Sequence, residues 1–200
     1  MTEQSFGMRV LWRACAATLA IGLLAAAKMK DADLELLTDW FGGVYDVAGP
    51  AAGANAAAGR NELLVLRVSA PMVGWHVFYV EEHSADGALV SQQLMSFDIA
   101  EDKKSIIQIA FSFKEPRRWE SGQLSPDIFK AVIVDDLVPA NGWEIYWFHE
   151  GPAFAGNGGP YACRLRPRAS GEAPQIDFRT RLTPVQFVFG SRVFNRRSGS

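Results

Sequence analysis

A succession of short apolar runs separated by turn residues is the feature that most restricts the fold of this chain. From residue 62 onward, each run has at most ten residues and is rich in Val, Ile, Phe and Tyr. The runs cover residues 62–69, 75–82, 89–98, 105–113, 143–149, 161–167, 175–182 and 185–193. Runs of this length and composition are typical of β-strands, so the sequence predicts eight of them.

Most connections between these runs carry residues that favour tight turns. They are Ala85-Asp86-Gly87, Glu101-Asp102-Lys103, Asn141-Gly142, Gly156-Asn157-Gly158-Gly159 and Ser170-Gly171. Short connections place consecutive strands antiparallel to each other. The sequence therefore predicts an all-β fold in which an antiparallel meander closes on itself as a β-barrel.

One connection is much longer than the others. Residues 114–139 contain Pro116, Gly122, Pro126 and Pro139, which interrupt regular structure. We expect this segment, called the excursion below, to form a cap or a loop outside the meander. Residues 126–131 within it could form a single helical turn.

A single amphipathic helix is predicted before the strands. Leu34, Leu37, Trp40 and Phe41 are spaced three or four residues apart. Asp31 or Asp33 is a candidate N-cap, and Gly42-Gly43 is the expected stop. Residues 48–59, which follow, are almost entirely Ala and Gly and indicate a flexible loop, although alanine alone could be helical.

The N-terminal residues resemble a targeting segment. Residues 8–13 form a short basic stretch, and residues 14–27 form an apolar run that ends in Ala25-Ala26-Ala27. The run is shorter than the roughly 20 residues needed to span a bilayer. This pattern predicts a secretory signal peptide over residues 1–27 and hence a periplasmic or cell-envelope location. Retention as an N-terminal anchor and an ordinary buried helix remain alternatives.

Composition and charge restrict the remainder of the chain. With 48% hydrophobic and 21% charged residues, 200 residues are enough for one packed domain, predicted over residues 28–200. Without residues 1–27, the chain keeps 18 basic and 21 acidic side chains, so nucleic acid is not an expected partner. Cys163 would then be the only thiol, so no intramolecular disulfide is expected.

Several short motifs, taken together in order, resemble the CpcT/CpeT chromophore-lyase family. They are YVEEH at residues 79–83, SQQLMSF at 91–97, NGWEIYWFHEGPAFAGN at 141–157 and YACRL at 161–165. The opening LLTDWFGGVYD at residues 36–46 also resembles the helix and first strand of that family. The resemblance extends over about residues 34–190.

The resemblance implies a calycin or lipocalin-like barrel that binds a linear tetrapyrrole. It also implies a lyase or chaperone that assists attachment of this chromophore to a cysteine of an acceptor protein. Tyr79, Glu81, Gly156 and Cys163 match family positions. Two departures concern the site: Ser91-Gln92-Gln93 replaces an Arg-Gln-Arg motif, so two cations that could pair with propionates are missing, and Trp143 replaces a cysteine.

Tyr79, Glu81 and Gln92 are expected on neighbouring strands, with Tyr79 and Glu81 on one face because side chains alternate along a strand. In the barrel lumen, Glu81 could bond a pyrrole N–H or transfer a proton to a bound tetrapyrrole, which makes it a candidate catalytic residue. An outward carboxylate beside water is the alternative. We expect Gln92 and Gln93 to contribute to ligand binding.

Other candidate residues carry weaker signals. Cys163 could be a nucleophile or attachment point, with a buried inert thiol as the alternative. Aromatic side chains could line a ligand pocket or form plain core; they are Trp75, Phe78, Trp143, Tyr146, Trp147, Phe148 and Phe154. His76, His83 and His149 lack metal-ligand spacing, so we expect no metal site. Arg117 and Arg118 could meet an anionic ligand at the barrel mouth or lie on a solvated loop.

These observations leave three hypotheses for function. The first is a bilin lyase or chaperone with a bound linear tetrapyrrole, no intrinsic cofactor and an acceptor protein as partner. The second is a non-catalytic exported barrel that binds another hydrophobic small molecule. The third is a barrel without a ligand. An exposed strand or aromatic face could in addition support a homodimer.

Overall fold

The computed structural model describes residues 29–48, 61–120, 122–158 and 179–199, and these contain one α-helix and eleven strands. Helix α1 is Asp31–Phe41. The strands are β1 Gly43–Ala48, β2 Glu62–Ala70, β3 Gly74–His83, β4 Leu89–Ile99, β5 Ile106–Phe113, β6 Leu137–Pro139, β7 Ile145–Glu150, β8 Ala153–Gly158, β9 Thr180–Leu182, β10 Gln186–Phe189 and β11 Arg192–Arg196. Three 3-10 helices lie between β5 and β6: Pro116–Trp119, Pro126–Ala131 and Val134–Asp136.

The strands form a closed antiparallel barrel. From β1 to β5 and from β7 to β11, each strand pairs with the next one along the chain, and β11 returns to pair with β1. Strand β5 pairs with β7 near its start, where Ile106 faces Trp147, and with β6 at its end, where Phe113 faces Leu137. Ten strands therefore close the barrel, and β6 extends the wall beside β5. The predicted all-β, calycin or lipocalin-like meander is confirmed.

Helix α1 packs into one end of this barrel. The buried residues Leu34, Leu37 and Phe41 belong to the core of the barrel interior. The Phe41 ring contacts Phe78 and Phe97 edge-on, with centroids 5.3 and 4.9 Å apart. Rings from several strands thus meet on the helix, and this part of the interior is filled by side chains.

Charged side chains hold α1 across the same end, which is called the α1 end below. Glu35 lies 3.5 Å from the Arg67 guanidinium on β2 and 3.9 Å from Nε2 of His76 on β3. Asp33 lies 3.4 Å from Nδ1 of His149 on β7. The His149 ring stacks on Phe154, with centroids 4.7 Å apart. Two histidines that lack metal spacing in the sequence therefore have structural contacts with the helix.

A second hydrophobic core lies outside the barrel, beneath the excursion. Trp119 and Phe129 of the excursion are buried against Tyr79 on β3 and Phe113 on β5. The Phe129 centroid is 4.6 Å from that of Tyr79 and 5.8 Å from that of Trp119. The excursion thus covers the outer face of β2–β5, and the helical turn expected at residues 126–131 is confirmed as a 3-10 helix.

Several strand predictions need correction. Residues 185–193 form not one strand but parts of β10 and β11, which reverse at Gly190, where φ is +57°. Residues 156–158 were expected in a turn but belong to β8, which pairs with β7 and β9. Strand β7 begins at Ile145 rather than at Trp143. Strand β6 lies inside the segment expected to be an excursion.

The predicted helix is confirmed, with one change at its start. The N-cap residue is Lys30, whose backbone N–H donates to Asp33 Oδ2 at 2.9 Å, so neither aspartate is the N-cap itself. The helix ends at Phe41, before the predicted glycine stop. The predicted signal peptide and the strand over 161–167 lie outside the described residues. So does the Ala/Gly loop predicted over residues 48–59, except Ala48, which is the last residue of β1. Within the described ranges, no helix is both long and apolar enough to cross a bilayer.

Candidate functional site

On β3, Tyr79 and Glu81 form a buried polar cluster with His83 of the same strand and Gln92 of β4. Tyr79 is fully buried and Glu81 is 1% exposed. The Tyr79 hydroxyl lies at hydrogen-bond distance from Glu81 Oε1, 2.9 Å from Gln92 Oε1 and 3.0 Å from the Trp119 carbonyl oxygen. Because Glu81 is directly opposite Gln92 in the β3–β4 register, the predicted proximity of these three side chains is confirmed.

The sequence suggests that this cluster faces the barrel lumen, but in the structure it lies on the outer face of the barrel wall. Phe78 and Val80 belong to the interior core, whereas Tyr79 belongs to the core beneath the excursion. Side chains alternate along a strand, so Glu81 shares the outer face with Tyr79. It is nevertheless not beside water, because the excursion covers this face. Glu81 therefore lies on the outward face that was the alternative to the lumen, but it is buried there rather than exposed to water.

His83 completes the cluster at the solvent side. Its Nε2 lies 3.1 Å from Glu81 Oε2, and its Nδ1 lies 3.3 Å from the Gly87 carbonyl oxygen. Carboxylate and carbonyl oxygens both accept hydrogen bonds, so only the doubly protonated ring satisfies both contacts. Partial burial alone would lower the pKa of His83, but the hydrogen bonds to Glu81 and Gly87 and the charges of Glu81 and Glu62 together raise it above 6.5.

The Tyr79 hydroxyl lies between the barrel wall and the excursion, where its single proton is shared among acceptors of Glu81, Gln92 and Trp119. Burial raises the pKa of Tyr79 well above its usual range, and the hydrogen bond to Glu81 and the charges of Glu81 and Glu120 raise it further. The hydroxyl therefore keeps its proton. Gln92 adds a second link, since its Nε2 donates to the Pro116 carbonyl oxygen at 2.8 Å. Together they hold the start of the excursion against β3 and β4.

A surface cavity of about 350 Å³ opens beside this cluster. The β4–β5 ladder begins at the pair Leu94–Phe111, so the start of β4 and the end of β5 diverge and leave space between them. The cavity is lined by Leu89, Val90, Ser91, Gln92, Ser112, Phe113, Pro116 and Glu120. It combines apolar walls with several groups that accept hydrogen bonds. Its volume is near the lower end of the roughly 300–1,000 Å³ typical of small-molecule pockets.

The other predicted ligand-binding residues lie elsewhere. Gln93 pairs with Val80 and is on the inner face, so the two adjacent glutamines point to opposite sides of the wall. Trp75 lies at the other end of β3 and is 90% exposed. Trp143 is 45% exposed and precedes β7, and Tyr146 on β7 pairs with Ile107 and Asn157, on a strand that does not adjoin β3 or β4. Cys163 lies outside the described residues.

Sequence inspection missed several residues of the site. His83 is not among the site residues predicted from the sequence, although its spacing of two and four residues from Glu81 and Tyr79 places all three on one strand face. Ser112, Pro116 and Glu120 carry no comparable signal. They reach the cavity only because β4 and β5 diverge and the excursion turns back over the gap.

The fold and this site define a closed antiparallel β-barrel of the calycin type with a candidate ligand cavity in its outer wall. Comparison with protein-family models and with curated proteins gives no match for this chain.

Proposed function

We propose that this protein binds a small ligand in the cavity between β4, β5 and the start of the excursion. The observation that carries the proposal is the position of this cavity against the Tyr79 cluster (Tyr79, Glu81, His83 and Gln92). Pockets that bind small molecules usually combine apolar walls with a few fixed polar groups. Here the Leu89, Val90 and Phe113 side chains supply the walls, and the cluster fixes the Gln92 amide.

The first candidate ligand is a linear tetrapyrrole, in keeping with the resemblance to the CpcT/CpeT family. Pyrrole N–H groups would meet acceptors in the cavity, namely the Glu120 carboxylate and the Ser112 hydroxyl. Arg117, the exposed neighbour of Pro116, is a suitable partner for a propionate. A cavity of this size would hold one part of the chromophore and leave the remainder accessible to an acceptor protein.

We further propose that the protein acts as a lyase or chaperone for this chromophore. Attachment adds an acceptor thiol across a C=C bond of the chromophore: a C–S bond forms, the thiol proton moves to carbon, and no electrons are gained or lost. The proposed task of this chain is to hold and present the chromophore. Glu81 then acts through Tyr79 and Gln92 as a positioning residue, since its two oxygens already bond Tyr79 and His83.

A second candidate ligand is a neutral hydrophobic molecule. None of the described residues that line the cavity is cationic, and Ser91 occupies a lining position where the family has arginine. This composition favours a ligand without carboxylates. An exported, non-catalytic binding protein would fit this alternative.

Titration of the purified protein separates these candidates. Biliverdin and phycocyanobilin are followed by absorbance, and the neutral dye N-phenyl-1-naphthylamine by fluorescence. Ser112→Trp fills the cavity, Tyr79→Phe releases Gln92, and Tyr45→Phe is the control. Tyr45 is another buried tyrosine whose hydroxyl donates to main-chain oxygens of Trp40 and Phe41 at 2.8 and 2.9 Å, away from the cavity.

We expect saturable binding that Ser112→Trp and Tyr79→Phe weaken about tenfold or more, roughly 1.4 kcal/mol, while Tyr45→Phe leaves it unchanged. Binding of the dye but not of the bilins would support the neutral ligand. If Ser112→Trp has no effect on binding, the ligand binds at a site other than this cavity. Absence of binding by all three compounds at about 100 μM, where a ligand held by roughly 5.5 kcal/mol half-saturates, would rule out the proposal.

A further inference from the structure

Two strand edges face each other across the cavity between β4 and β5. The β4–β5 ladder stops at the pair Leu94–Phe111, and beyond this pair residues 89–93 of β4 lie opposite residues 112–113 of β5. On their other sides, β4 pairs with β3 and the end of β5 pairs with β6. No strand among the described residues pairs with the two edges that face the cavity. These two edges are called the gap edges below.

The main-chain groups of Gln92 and Phe113 point into this gap. Residues of an antiparallel strand direct their N–H and C=O groups alternately to one neighbouring strand and to the other. The Ala100 N–H donates to the Ser105 carbonyl oxygen at 2.9 Å, so every second residue from Ala100 back to Gln92 directs its main chain to the β5 side. By the same alternation, every second residue from Ser105 to Phe113 directs its main chain to the β4 side. The Ala110 carbonyl oxygen, at an intermediate position, accepts a hydrogen bond at 2.9 Å from the segment after β6 instead, as this alternation requires.

The cavity has the size of a short piece of extended chain. Residues of a strand rise about 3.3 Å each, strands lie about 4.8 Å apart and a sheet is about 10 Å thick, which gives about 160 Å³ per residue. The cavity of about 350 Å³ therefore holds about two residues of a strand. The rest of an added strand would lie along the start of β4, where Leu89 and Val90 are 37% and 60% exposed.

The side chains around the gap favour an occupant in which apolar and small polar residues alternate. Gln92 and Phe113 belong to the outer side, next to Pro116 of the excursion, whereas Ser91 and Ser112 belong to the inner side of the wall. Successive residues of a strand point to opposite sides, so each side would receive every second residue. Exposed charged residues of both signs lie at the start of the excursion: Lys114, Glu115, Arg117, Arg118 and Glu120. Main-chain pairing rather than net charge therefore selects the occupant.

We infer that the gap edges bind an extended segment of a partner protein, which adds a strand between β4 and β5. Open strand edges bind extended peptides in this way, with main-chain hydrogen bonds for affinity and alternate side chains for specificity. Only the coupling to ligand release rests on the function proposed above. Ligand and strand need the same space, so entry of the strand would expel a bound ligand beside the partner.

Amide hydrogen exchange resolved by NMR tests this pairing in the protein without a small ligand. The probe is the peptide Lys-Thr-Val-Ser-Val-Thr-Val-Lys, and the control peptide has proline in place of its central valine, so that it lacks one main-chain N–H. Ser112→Trp fills the gap. Ser69→Trp is the matched control, at an exposed position of β2 near the α1 end. The amide of Asp86, exposed in the turn before β4, is the internal reference.

We expect the peptide to bind with a dissociation constant below about 1 mM. At saturation, exchange at the Gln92 and Phe113 amides should slow about tenfold or more, with no change at Asp86. The proline peptide and Ser112→Trp should each abolish this protection, whereas Ser69→Trp should retain it. Peptide binding by a protein that binds no small ligand would support the inference and refute only the function proposed above.

Three results would overturn the inference. Equal binding of the proline peptide would mean that side chains, and not main-chain pairing, hold the peptide. Absence of binding at about 1 mM peptide would exclude an accessible strand edge. Protection of Gln92 that appears without peptide as the protein concentration rises would indicate pairing between two copies of this chain instead.

Discussion

At the scale of single residues, His83 is where the charge of the site responds to pH. Its two ring nitrogens face only acceptors, so the native state favours the imidazolium, and the pKa is raised above 6.5. A raised pKa means that the folded state binds the proton more tightly than the unfolded state. The resulting stabilisation is fully present below pH 6.5 and is lost as pH rises through the native pKa.

We therefore expect thermal stability of the wild type to fall as pH rises above 6.5, and to change less in His83→Gln. A net hydrogen bond contributes roughly 0.5–1.5 kcal/mol. For a domain of this size, that corresponds to a shift of about 1–6 °C in Tm. Melting curves of both proteins across this range check the prediction. Parallel pH profiles would show that His83 does not contribute.

Side-chain alternation fixed which residues of β3 lie together but not which side of the barrel they face. It correctly places Tyr79 beside Glu81. It leaves two possible faces, and five consecutive residues of β3, Val77–Glu81, are buried. One face is covered by the barrel interior and the other by the excursion, so neither carries the polar pattern that marks a solvent face. Only the tertiary path of residues 114–139 decides between them.

At the scale of secondary-structure elements, β8 is packed against its neighbours through a glycine. A Cβ atom at Gly156 would lie 2.5 Å from Thr180 Cγ2 on β9 and 2.8 Å from Ile145 Cγ2 on β7. We expect Gly156→Ala to lower the free energy of unfolding by about 1–3 kcal/mol, because strands on both sides must move. Urea denaturation measures this change.

Gly74→Ala is the matched control, since Gly74 also lies in a strand. Its Cβ would meet Val77 and Ser96 at the ordinary distances of 3.7 and 3.8 Å. We expect stability within about 0.5 kcal/mol of the wild type or slightly above it, because alanine restricts the unfolded chain. Equal losses in both variants would mean that the close packing at Gly156 is not the cause.

The sequence patterns missed two elements: one strand made mostly of small residues, and one hairpin whose turn is only two residues long. Strand β8 has the sequence AFAGNG, in which Phe154 is the only large β-former, and its neighbours pack directly on Gly156. The β10–β11 hairpin was merged into one run since its turn contains only Gly190 and Ser191 between two apolar stretches. Long strands with marked turns, such as β3 and β4, were located to within about two residues.

At the scale of the whole molecule, the sequence was sufficient for the meander and its closure, because these follow from short antiparallel connections. It did not indicate that the molecule has two cores. The inner core joins α1 to strands around the barrel, and the outer core joins the excursion to β2–β5. An apolar residue in an alternating strand is compatible with either core, so the division depends on contacts between distant segments.

The two cores predict unequal stability across the molecule. The ten barrel strands pair in a closed ring, whereas the excursion is attached through short 3-10 helices, the three residues of β6 and the cluster around Phe129. Local opening requires less free energy where fewer backbone hydrogen bonds and apolar contacts are lost. We therefore expect amides of residues 114–136 to exchange with solvent faster than those of residues 62–99, as measured by hydrogen exchange and mass spectrometry.

Phe129→Ala should widen this difference. Phe129 is fully buried between Tyr79, Phe113 and Trp119, and loss of such a ring costs about 3–5 kcal/mol. Exchange should accelerate in the excursion and at Gln92, which loses its contact with Pro116, while β7–β11 stay protected. Leu124→Ala, at a position 83% exposed in the same segment, should have no effect. Uniform acceleration across all strands would instead show that the excursion and the barrel unfold as one cooperative unit, in which case opening of the cavity would require unfolding of the whole protein.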